Sequence, residues 1–88
     1  MSNMEVIKVD FWHEYIEEHP NFTGCLINQD NNKAWYKNGQ RHREDGPAIE
    51  FADGSKRWHL NDKYYSEQDW KIALRKIKLE RVLKKING

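Results

Sequence analysis

WYKNGQRHREDGPAIEFADGSKRWHLNDK, spanning Trp35 to Lys63, is built on a period. Shifted by 23 residues, Leu26 falls on Ile49, Asp30 on Asp53, Lys33 on Lys56, Trp35 on Trp58 and Asn38 on Asn61. A fixed spacing of this kind marks one supersecondary unit used more than once. Each copy holds two short strand-forming runs and two turns. The expected product over residues 24–65 is an antiparallel β-meander of about four to six short strands.

Turn chemistry fixes the boundaries. Asp30-Asn31-Asn32 and Asp53-Gly54 tolerate positive φ and separate Gly24–Asn28 from Lys33–Lys37 and Pro47–Phe51 from Ser55–Leu60. Asn38-Gly39 predicts a type I′ hairpin, and Asn61-Asp62 stands at the equivalent place in the second copy. Glu44-Asp45-Gly46-Pro47 breaks the chain between the two units. Alternation sets Trp58 and Leu60 on one face of the sheet, with Arg57 and His59 on the other.

Helices flank the meander. Residues 2–19 read mainly as a helix, with Ser2 and Glu5 at capping-box spacing and Asp10 as a second N-cap. Met4, Ile7, Phe11 and Tyr15 form its stripe, and Pro20 stops it. The β-branched Val6, Ile7 and Val9 offer a strand over residues 4–9 instead, with the helix starting after Asp10. Ser66 opens the C-terminal helix, which runs from Glu67 to about Ile86. Its first half sets Trp70, Ala73, Leu74 and Ile77 within about 60° of one direction. Leu79, Val82, Leu83 and Ile86, joined by Ile72, lie on the opposite side. One sheet cannot bury both stripes. The second needs another chain, the N-terminal helix, or a break near Lys78.

The whole is expected to be a single α+β domain, residues 1–88. Four Trp, four Tyr and three Phe supply the large core residues that so small a domain requires. Cys25 stands alone, so no internal disulfide is expected. With neither a membrane-spanning run nor a signal peptide evident, a cytoplasmic location is expected. Charge is graded along the chain. Residues 1–34 carry six acids against two lysines, whereas from Trp70 onward seven bases face one acid.

Trp35-Tyr36-Lys37-Asn38-Gly39, then His42-Arg43-Glu44-Asp45-Gly46-Pro47-Ala48, then Asp53-Gly54-Ser55-Lys56 resemble a known repeat. It is similar to the WYLNGK-HREDGPA-ADG repeat of small bacteriophage and large-DNA-virus proteins, distantly reminiscent of MORN repeats. The resemblance implies stacked β-hairpins, a phage or viral origin and no shared enzymatic activity. Such a protein encoded by a phage would act in the host cytoplasm. The second copy departs from the pattern after Asn61, where Asp62 replaces glycine and HREDGPA is missing.

Catalytic, cofactor and metal sites are not expected. His13, His19, His42, His59 and Cys25 lack the close spacing of zinc ligands. Glu44 and Asp45, beside Arg41 and Arg43, read as turn chemistry with local ion pairing rather than as an acid/base pair. Trp35 and Trp58 share a repeat position, which favours packing over a stacking platform for single-stranded nucleic acid. Two surfaces of the last helix remain. The stripe Ile72, Leu79, Val82, Leu83 and Ile86 suits self-association, as a dimer, or docking to a host protein. The bases Lys71, Arg75, Lys78, Arg81, Lys84 and Lys85 offer an alternative contact with RNA or DNA. The expected function is a non-enzymatic interaction protein that inhibits or modulates a host macromolecule, such as a defence-system protein.

Overall fold

The 23-residue period is a structural one. In the computed structural model, which describes residues 4–87, β2 (Gly24–Ile27), β3 (Lys33–Lys37) and β4 (Gln40–Arg41) form the first unit. Then β5 (Ile49–Glu50), β6 (Lys56–Leu60) and β7 (Lys63–Tyr65) repeat it. Within each unit neighbouring strands pair antiparallel, and β5 joins the units by pairing with Lys33 and Ala34 of β3. Strand β4 pairs with Tyr36 and Lys37, so β4 and β5 share one edge of β3, end to end. The turns follow the residue chemistry. Asn38 and Gly39 have φ of 51° and 80°, and Asn61 and Asp62 have 51° and 72°, the double positive φ of type I′ hairpins.

The N-terminal segment departs from the helix expected over residues 2–19. Val6–Lys8 form β1, which pairs parallel to β2, and the helix α1 covers only Trp12–Glu18. Three β-branched or adjacent residues find a ready strand edge in β2, and that edge outweighs local helical spacing. Val9 N–H donates to Ile27 O at 2.8 Å and Cys25 N–H to Glu5 O at 2.8 Å, closing the pair at both ends. Phe11, not Asp10, is the N-cap of α1, without a side-chain cap bond. Ser2 of the expected capping box lies outside the described residues. The sheet therefore runs β1-β2-β3-β5-β6-β7, antiparallel except at its first pair.

Register assigns the faces. Val6, Cys25 and Trp35 stand side by side on one face, and Ile7, Leu26, Ala34 and Ile49 on the other. On that second face Leu26, Ala34, Tyr36 and Ile49 form a buried cluster with Ile7, Trp12, Tyr15, Ile16 and Phe22, so α1 covers the first unit there. Arg57 pairs with Ile49, which turns Trp58 and Leu60 to the opposite face, as alternation predicts. There Leu60 packs with Trp70 and Leu74 of α2 (Glu67–Asn87), beside Trp58, Tyr65, Ala73 and Ile77. Each helix thus covers half of a different face.

Candidate interaction surface

Helix α2 starts where the sequence places it: Asp69 N–H donates to Ser66 Oγ at 3.1 Å. It is one unbroken helix of 21 residues, about 31 Å long at 1.5 Å per residue. Trp70 and Leu74 are buried against β6 and β7, but every described residue from Lys78 onward is exposed. The C-terminal half therefore projects beyond the part of the sheet that the helix packs on. Leu79 is 58 % exposed, Val82 51 %, Leu83 47 %, Ile86 72 % and Ile72 56 %. Neither α1 nor a break in the helix covers the second stripe, which removes two of the three ways of burying it.

The inner side of α2 changes character instead. Positions Trp70, Leu74, Ile77 and Arg81 follow one another at helical spacing, so Arg81 continues the core-facing row past the apolar cluster. There it meets the loop between the two units. Arg81 Nη1 donates to Glu44 Oε1 at 2.7 Å and Nη2 to Oε2 at 2.6 Å. His42, buried, donates from Nε2 to the same Oε2 at 2.7 Å. Its Nδ1 accepts the Asn61 N–H at 2.9 Å, which fixes the tautomer that carries the proton on Nε2. The Arg81 guanidinium, then His42, hold the Glu44 carboxyl down to about 2, against partial burial that works the other way. A carboxylate held ionised so firmly is a poor proton carrier near neutrality.

Arg43 organises the rest of the loop. Its guanidinium lies 3.8 Å from the centre of the Trp35 ring and donates to Asp45 Oδ1, Pro47 O and Glu50 Oε2 at 2.8, 3.1 and 2.8 Å. Its carbonyl accepts Trp70 Nε1–H at 3.1 Å. The polar residues of HREDGPA are thus spent on holding the two units and α2 together. Local pairing of Asp45 with Arg43 matches the sequence reading. The partners of Glu44 do not: they are His42 and Arg81, with Arg81 37 residues downstream.

Both repeat tryptophans are half-buried. Trp58 packs on Trp70 with ring centroids 4.7 Å apart, and Arg43 lies over one face of the Trp35 ring. An open groove of about 760 Å³ borders this region, lined by Met4, Trp35, Lys37, Arg43, Glu44 and Arg81 among others. His13 and His19 are exposed, and His59 is buried with Nδ1 unpartnered. Among the described residues no group of three His, Cys, Asp or Glu is placed to hold a metal ion. Burial pushes the Cys25 thiol up, opposed by Lys33 and Arg43.

Of the basic set, Arg81 is engaged with Glu44, and Lys71 lies 3.5 Å from Glu67. Arg75, Lys78, Lys84 and Lys85 are exposed and form no ion pair among the described residues. No helix of the described residues is long and apolar enough to cross a membrane. Comparison with protein-family models, with curated proteins and with solved structures finds no match to this chain.

Proposed function

We propose that this is a non-enzymatic interaction protein of phage or viral type, which docks through the outer face of α2 and inhibits or modulates a host protein. One observation carries this reading. Five large aliphatic side chains on one helix face, Ile72 to Ile86, are about half or more exposed, whereas the other exposed large apolar residues, Met4, Val6, Phe11 and Tyr64, lie outside this helix. A contiguous apolar patch of this kind is the usual mark of a contact surface. The host assignment, and a defence-system protein as the target, rest on the resemblance of the WYKNG, HREDGPA and ADGSK segments to phage and viral repeats.

Capture from host lysate tests the reading. The wild type should retain a partner that a Leu79→Glu, Leu83→Glu variant of equal thermal stability does not. Equal capture by both would exclude the stripe.

A second reading, contact with RNA or DNA, is favoured by Lys71, Lys78 and Lys85, which recur every seven residues on one side of the helix. Phosphate contacts release counterions, so that binding would weaken steeply as salt rises, whereas an apolar protein contact would change little.

A further inference from the structure

We infer that the outer face of α2 fits an apolar groove rimmed by carboxylates on a different protein, and not a second copy of this chain. The inference rests on the docking reading above and names its partner's chemistry. Ile72, Leu79 and Ile86 form a row at seven-residue spacing, widened by Val82 and Leu83. Their exposure leaves on the order of 500 Å² of apolar surface. Covered on both sides, that is about 1,000 Å², the lower bound of a specific interface.

Charge selects the occupant. Lys71, Lys78 and Lys85 run along one margin of the stripe, Lys76 lies on the other, and Arg75 interrupts it. Two copies paired antiparallel about Leu79 would set Lys78 against Lys78 and Lys71 against Lys85. Parallel pairing would set Lys71 near Lys76. Flanking charges help decide which helices associate, and here each such pairing sets lysine against lysine, with Lys71 partly offset by Glu67, 3.5 Å away. After Trp70 the helix has a single acid, Glu80, to offset them. The chain's own acidic end has an open groove of about 460 Å³ beside α1, but Arg41 shares its lining with Glu17 and Asp62, so its rim is not purely acidic. On α1, Glu14, Glu17 and Glu18 are exposed, but Trp12, Tyr15 and Ile16 are turned into the core. Carboxylates facing the lysine row would instead pair with it and steer the approach.

The test uses the full chain, with calcium-loaded calmodulin as a probe whose Met-lined groove has an acidic rim. Calorimetry at low and high salt is combined with sedimentation velocity of the chain alone. The chain alone should sediment as a monomer and bind the probe. Leu79→Glu with Leu83→Glu should weaken binding roughly tenfold or more. Val82→Ser with Ile86→Ser is the second pair, should the first disturb folding. Lys78→Glu with Lys85→Glu should weaken binding about tenfold at low salt and less at high salt. Absence of binding, or binding indifferent to all three pairs, overturns the inference. So does tighter association with phosphatidylserine vesicles than with the probe. A stripe-dependent dimer would leave the docking reading standing and overturn the acidic partner.

Discussion

Glu44 and Arg81, 37 residues apart, meet in a two-pronged ion pair of 2.7 and 2.6 Å that ties the loop between the two β-units to the far half of α2. The pair lies beyond the last apolar contact of the helix with the sheet. It therefore sets the direction in which the exposed stripe points.

The pair has a pH signature. Glu44 is held down to about 2 from an ordinary 4.5, so its contribution to stability is complete above about pH 4.5 and is lost as pH falls through about 2. Thermal melts across that window should show Glu44→Gln less sensitive to pH than the wild type. At neutral pH the variant should lose a few °C at most, roughly 2–5, since the Arg81 side of the pair is about half exposed. Identical pH profiles would show that the pair does not form in solution.

Two leucines on one helix separate core from surface. Leu74 is 8 % exposed and Leu79 is 58 % exposed. Leu74→Ala should cost about 2–5 kcal/mol in denaturant unfolding. Leu79→Ala should stay within about 0.5 kcal/mol. Comparable losses at both sites would mean that the stripe is covered in the free protein.

Two turn glycines should differ as sharply. At Gly39, φ is +80°, and an added Cβ would lie 1.9 Å from Pro20 O. At Gly54, φ is +93° with nothing within 4 Å. Gly54→Ala should cost only the strain of left-handed backbone, about 1–2 kcal/mol. Gly39→Ala should cost clearly more, because a carbonyl must move as well. Equal losses in chemical unfolding would count against the packing of Pro20 on the hairpin.

Cys25 should be slow to react. It is 3 % exposed and its thiol is pushed up by burial, so little thiolate is present at neutral pH. A chromogenic disulfide reagent should label the native protein many-fold more slowly than the chain in denaturant. Labelling at the rate of the unfolded chain would show β2 to be open.

Much of this architecture is legible in the sequence because it is local. Asn38-Gly39 specifies its own turn, Ser66 its own helix start, and Trp70, Leu74 and Ile77 their own buried face. What escapes local reading depends on a distant neighbour. Val6–Lys8 become a strand because β2 offers an edge 19 residues later, as the pairing of Val6 with Cys25 records. Glu44 reads as a turn residue until Arg81 is brought to it. A signal was present, since Arg81 falls 11 residues after Trp70, in phase with the core row. The exposed stripe is visible as a second apolar phase, and none of the described residues covers it.

The placement of the helices on opposite faces makes the protein extensible. One helix closes the first unit from one side, the other closes the second unit from the reverse side, and the middle strands meet through backbone pairing. A further 23-residue copy spliced between the units would inherit the same strand edges and leave both end pieces in place. Length, in such a chain, is free to vary while the projecting arm of α2 is carried unchanged to a new distance from the N-terminal end.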